Sequence, residues 1–92
     1  MAALDLLGRR WALRLLWELR DSPVGARALL ARSDGMSSSV MYERLRELSD
    51  AGLVVKSPAG AYELSGIGRE LGRAIEPLSQ WADRWAAHDR PQ

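Results

Sequence analysis

Ser38, Ser39, Tyr42 and Arg46 are hydrogen-bonding side chains whose spacing places them on one side of a helix. Their chemistry suits contact with a polar, negatively charged surface. The planar fork of Arg46 can pair with a guanine edge or grip a phosphate. Tyr42 can reach a phosphate or a thymine methyl, and the serines a backbone oxygen or a base. The competing assignment is a solvated helix face with Arg46 paired to Glu43 or Asp50, and spacing alone favours it. Glu43 is the awkward member, because it repels phosphate unless it reads a cytosine amino group or orients Arg46. Arg44 is expected to be half-buried or to lie towards the preceding helix, where a structural role is as natural as a nucleic-acid contact.

The element that must carry these residues is a helix over 38–50. Val40, Met41, Leu45 and Leu48 recur at intervals of three to four and make one apolar stripe. Ser37 suits the N-cap, because its hydroxyl can accept a bond from an orphan N–H of the first turn. Gly52 follows the last apolar position, where a left-handed cap favours glycine. Leu53-Val54-Val55 is too short and too β-branched to continue a helix. Ser57-Pro58-Ala59-Gly60 has turn chemistry, and Ala61-Tyr62-Glu63-Leu64 alternates and returns as a partner strand. A helix with a polar outer face followed by a small hairpin is the working end of a winged helix-turn-helix, so the hairpin at about 53–64 is expected to be the wing.

Upstream, a stripe of Leu4, Leu7, Trp11, Leu15 and Leu19 predicts a first helix over 3–20, interrupted and divided into two pieces at Gly8. Pro23 disfavours helical geometry at Ser22 and ends it. A second helix is expected over 24–32, with Val24, Ala28, Leu29 and Ala31 as its apolar points. Ser33-Asp34-Gly35 then makes the turn of a helix-turn-helix spanning about 24–50. Ser65 can cap a last helix over about 66–88, whose Ile67, Leu71, Leu78, Trp81 and Trp85 fall at heptad-like spacing. Pro77 lies inside it and must kink it or start a new one. The tail from His88 to Gln92 is expected to fray. The fold class is therefore mainly α with a small β-hairpin, all of it in one domain, 1–92, since a chain of 92 residues leaves no room for a second core. The terminal helices carry more leucine and tryptophan than so small a core can cover, which points to a dimer interface through Leu4, Leu7, Trp11, Leu78, Trp81 and Trp85. The other use of the tryptophans, a ligand pocket between helices, would hold a small-molecule effector. Core and dimer packing is the simpler one.

Composition narrows the function. Cysteine is absent, which excludes a disulfide framework, a thiolate metal site and a thiol switch, and fits a reducing cytoplasm. His88 is the only histidine, so no metal site of ordinary ligand count can be assembled around it. No Ser-His-acid set has a plausible order. Gly66-Ile67-Gly68 opens a helix and is not a dinucleotide fingerprint. No enzyme and no cofactor are expected. No apolar run reaches the roughly 18 residues that span a bilayer, and the start of the chain has an acid, Asp5, where a leader would be basic. Net charge is only +1, and from Arg20 to Lys56 six basic residues stand against five acidic ones. That balance provides no strong basic patch for phosphate. Lys56, the only lysine, sits at the base of the wing and is a candidate for phosphate contact. For Arg27 and Arg32, phosphate clamping and ordinary surface charge stand even.

The order helix, helix, helix, hairpin, helix resembles the HxlR-type branch of the MarR-like winged-helix transcription regulators. Gly8-Arg9-Arg10-Trp11, Ser37, Leu45-Arg46-Glu47-Leu48, Ala51-Gly52-Leu53-Val54, Tyr62-Glu63-Leu64-Ser65 with Gly68, and Leu78 to Trp81 carry the resemblance over most of the chain. It implies a bacterial homodimer on a pseudo-palindromic operator in double-stranded DNA. The helix at 38–50 would lie in the major groove, and the DNA-contacting set would be Ser37, Ser38, Ser39, Tyr42 and Arg46, with Arg27 and Lys56 on phosphates. The hairpin and the resemblance together turn the Arg46 face from solvated surface to recognition surface. The chain departs from the family pattern in a short wing whose turn, Ser57 to Gly60, has no basic residue, in Gly25-Ala26 where a basic–aromatic pair is common, and in having no cysteine. A winged-helix protein-interaction module without DNA binding is the rival, supported by the near-neutral charge and the uncharged wing tip. One expected result follows already: activity should not respond to thiol oxidants. A loss in peroxide that dithiothreitol restores would contradict it, whereas oxidation of a methionine such as Met41 is not reversed by dithiothreitol.

Overall fold

The first apolar stripe forms two helical pieces. In the computed structural model, which describes residues 2–88, α1 spans Ala2–Leu7 and α2 spans Ala12–Glu18. The break at Gly8 occurs as expected. Its abruptness comes from Trp11, which adopts φ 78° in the left-handed region that non-glycine residues seldom occupy. Turn 8–11 is closed by Gly8 N–H to the Leu4 carbonyl at 2.8 Å and Ala12 N–H to the Arg9 carbonyl at 3.1 Å. α2 ends at Glu18, earlier than the proline signal at Pro23 suggested.

The expected helix over 24–32 is corrected at its start. Val24–Gly25 forms a strand, β1, and α3 occupies Ala26–Arg32. Val24 fits a helical stripe and a strand equally well. What decides is a partner: β1 pairs antiparallel with a later strand, Val24 opposite Tyr62 and Gly25 opposite Ala61. The expected two-stranded hairpin, β2 (Val54–Lys56) and β3 (Ala61–Leu64), is thus part of a three-stranded antiparallel sheet ordered β1-β3-β2. The third strand satisfies backbone groups that β3 would otherwise leave open at its edge.

α4 runs Ser38–Asp50, with the boundaries the sequence predicts. The Val40 N–H donates to the Ser37 hydroxyl at 3.2 Å, and Met41, Leu45 and Leu48 are buried. At its other end Gly52 has φ 80°, and the N–H groups of Gly52 and Leu53 return to the carbonyls of Ser49 and Leu48 at 2.9 Å each. That pair of bonds is the glycine-terminated cap expected there. Leu15, Leu16, Leu29, Val54 and Leu64 meet the buried side of α4 in the core.

α5 spans Gly66–His88 without a break. Ser65 starts it, donating to the Gly52 carbonyl at 2.6 Å and accepting from the Gly68 N–H at 3.0 Å. Pro77 does not start a new helix. It lies on an exposed face, where the carbonyl it leaves without a helical donor can turn to water. Packing against the core stops at Ile75, so the second half of α5 projects from the body. Beyond His88 the expected fraying concerns residues outside the described ones. No helix among the described residues is long and apolar enough to cross a membrane.

Candidate nucleic-acid interface

α4 lies on the body with Met41, Leu45 and Leu48 inward, so the rest of its circumference faces out. Ser39, Tyr42, Glu43 and Arg46 line one shallow concavity of about 480 Å³. Ser38 is exposed beside it, and Tyr42 is 50% exposed. Ser37 has a defined local task. Its Oγ takes the Val40 N–H and lies 3.3 Å from the Ser39 Oγ, so one hydroxyl both starts the helix and steadies a neighbour on the outer face.

Arg46 is exposed and enters no ion pair among the described residues. The pairing with Glu43 or Asp50 that a solvated face would show is not made. Glu43 pairs instead with other cations, Arg44 at 3.6 Å and Arg9 at 3.9 Å. Its charge is therefore partly balanced within the protein. Arg44 is half-buried as expected but does not lie towards the helix preceding α4. Its Nε donates to the Arg10 carbonyl at 2.9 Å, across turn 8–11. The backbone break there brings the Arg10 carbonyl within reach, and a continuous helix would have used that oxygen internally.

The flanking cations are spread out. Arg27 is exposed on α3. Arg32 is exposed at the end of α3, where its carbonyl accepts from Arg14 at 2.6 Å. Lys56 ends β2, exposed, with its Nζ 5.5 Å from the centre of the Tyr62 ring. Sequence reasoning missed Arg9. Its place in Gly8-Arg9-Arg10-Trp11 implies no contact with α4, yet it stands beside that helix at Glu43 and Glu47. Its adjacency to a glycine in the first apolar stripe was the available signal.

The residues expected at a dimer interface divide into three groups. Leu4, Leu78, Trp81 and Trp85 are exposed, and the Trp81 and Trp85 rings stack at 6.1 Å with a 12° interplanar angle. Leu7 is half-buried and lines an apolar groove of about 350 Å³ with Ala3, Leu6, Leu53, Ile67 and Leu71. Trp11 packs against the chain's own core, with its ring against Gly35 in the turn before α4. Trp17 is half-buried beneath Arg20, whose guanidinium lies 3.7 Å from the ring centre. Ile67, which sequence reasoning left out of the interface, is exposed beside the groove.

Comparison with known proteins places this arrangement. An uncharacterized HTH-type transcriptional regulator of Mycobacterium tuberculosis is 36% identical over 90% of this chain, which spans only 56% of that protein's length. The crystal structure of quinone-bound YodB from Bacillus subtilis superposes with a TM-score of 0.81 at 28% identity, covering 90% of this chain and 92% of that one. A possible HxlR family transcriptional factor from Thermoplasma volcanium shares the fold, with a TM-score of 0.87 at 23% identity over 95% of this chain and 84% of its own. The family model for the HxlR-like helix-turn-helix matches residues 6–90, and the chain belongs to that family of transcriptional regulators.

Proposed function

We propose that the whole chain is one winged helix-turn-helix domain that binds double-stranded DNA as a homodimer, with α4 in the major groove of each half of a pseudo-palindromic operator. Ser38, Ser39, Tyr42 and Arg46 face the base edges and nearby phosphates, while Ser37 sets the start of the helix that carries them. Arg27 and Lys56 lie against the backbone on either side. Two-fold symmetry spaces the paired helices about 34 Å apart, one turn of DNA. The observation that carries this reading is Arg46. A guanidinium without an acidic partner among the described residues, on the outer face of a rigidly capped helix, is free for guanine or phosphate. The weak overall charge implies that affinity rests on a few well-placed contacts. An apolar effector would find the most apolar concave surface in the groove between α1 and α5, and a small organic molecule, a quinone, is bound in the YodB structure.

Selection from random oligonucleotides should yield an operator, and Arg46→Ala should weaken binding to it by roughly 1–3 kcal/mol without changing the fold. If Arg46 reads a base, discrimination at that position relaxes. If it holds a phosphate, affinity falls evenly across sequences and the salt slope shrinks by about one. An Arg46→Ala protein that binds as well as the parent removes Arg46 from the site. Should Ser39→Ala and Tyr42→Ala be silent too, the domain is a protein-interaction module, the reading that the uncharged wing tip favours.

A further inference from the structure

The outer face of α4 can read DNA only if its angle on the body is held. Met41, Leu45 and Leu48 bury its inner face, and apolar packing loses uniqueness before it loses stability. A second set of contacts lies on the flank of α4. The Glu47 carboxylate stands between two guanidinium groups, 3.2 Å from Arg9 and 3.2 Å from Arg44. Arg44 then donates to the Arg10 carbonyl at 2.9 Å, which closes a ring from turn 8–11 to α4 and back. The Arg44–Glu47 leg is not an open surface pair, with side chains 12% and 25% exposed, while Arg9 closes the network from the half-exposed rim at 48%. The turn at the other end is itself pinned. Trp11 sits at φ 78°, and its ring lies against Gly35, in the turn that leads into α4. Backbone strain of that kind persists only where the surroundings over-determine it.

We propose that Arg9, Arg44 and Glu47 are positioning residues for DNA recognition: together with the Trp11 pin they form a strut that fixes the roll of α4. The inference rests on the DNA-binding reading above. It assigns opposite roles to the adjacent Arg46 and Glu47, one outward to the ligand and one sideways to the scaffold. It also reverses an electrostatic expectation. Removing a negative charge from the DNA-facing side of a protein ordinarily strengthens binding, because phosphate repulsion falls. Here Glu47→Gln should weaken it, since the neutral amide cannot hold both guanidinium groups.

The test combines two readouts on the full chain. Amide exchange should accelerate in Glu47→Gln and in Arg44→Ala, both in turn 8–11 and in α4, while β2 and β3 keep the parent's protection. Operator affinity of Glu47→Gln should fall by about tenfold, the scale of one lost charge-assisted hydrogen bond, with the salt slope unchanged because no phosphate contact is removed. Glu47→Asp, which keeps the charge on a shorter arm, should recover part of the loss. Exchange in turn 8–11 that is indifferent to both substitutions, or tighter operator binding by Glu47→Gln, overturns the strut. A parent chain that selects no operator while the exchange coupling is present overturns the DNA reading, and the positioning role falls with it.

Discussion

Trp85→Ala should convert the proposed homodimer into a protein that is monomeric at micromolar concentration. The second half of α5 leaves its own core after Ile75, yet Leu78, Trp81 and Trp85 continue the apolar stripe at spacings of three and four. The two tryptophans stack on each other with about half of each side exposed, 51% and 54%. Leu4 and Ile67 extend the same kind of surface near α1, at 63% and 56% exposure. So much exposed apolar area on so small a chain marks a surface made to be covered. In a two-fold dimer each substitution acts twice, because the same patch serves both subunits. A buried tryptophan of hot-spot quality is worth about 2 kcal/mol per copy, so the dimer should lose about 4 kcal/mol, near a thousandfold in its dissociation constant. Sedimentation equilibrium from nanomolar to tens of micromolar protein measures this directly. A parent chain that light scattering finds monomeric at tens of micromolar sinks the dimer. A Trp85→Ala variant that dissociates no more readily than the parent places the interface elsewhere. Operator binding should weaken in the same variant with unchanged contacts at each half-site, because the linked second site is lost.

Gly68→Ala should cost about 3 kcal/mol or more and leave little folded protein at physiological temperature. Gly68 is buried in the first turn of α5, where a Cβ would run into the Leu53 carbonyl and crowd the Leu64 Cβ at 3.3 Å. Neither neighbour can give way. The Leu53 oxygen already accepts the Ser65 N–H at 2.9 Å, and Ser65 in turn ties the end of α4 to the start of α5 through Gly52. Lifting α5 to admit a methyl group would break that cap, so the cost belongs at the upper end of overpacking. Gly72, one turn later, is the control. An added Cβ there meets only the Leu64 Cδ1, at 3.3 Å, the end of a side chain that can rotate. Gly72→Ala should therefore lie within about 1 kcal/mol of the parent, helped by the better helix propensity of alanine. Urea midpoints of the two variants make the comparison. Equal midpoints for Gly68→Ala and the parent would show that α5 can shift on the wing.

α4 shows which features are legible in a sequence. Its stripe, its Ser37 cap and its Gly52 stop all lie within a few residues of the atoms they act on, so its boundaries and its outward face follow from local chemistry. The same holds for the turn at 57–60, where Gly60 takes φ 89°, and for Ser65 at the head of α5. These short-range rules are enough to predict a winged helix-turn-helix and to place Tyr42 and Arg46 on its exposed face. What they miss depends on partners distant in the chain. Val24 is a strand residue only because Tyr62 arrives beside it. Arg44 turns to the Arg10 carbonyl only because a left-handed Trp11 breaks the helix that would have used that oxygen. Glu43 is partly balanced by its neighbour Arg44 and by Arg9, thirty-four residues earlier, so its effect on the Arg46 face could not be judged from the helix alone. Most elements and the polar outer face of α4 are written locally, since hydrophobic periodicity and caps act within one helical turn. Which charges on that face are already paired depends on the folded arrangement, because ion pairs form between whichever groups the fold brings together, and their separation along the chain carries no signal.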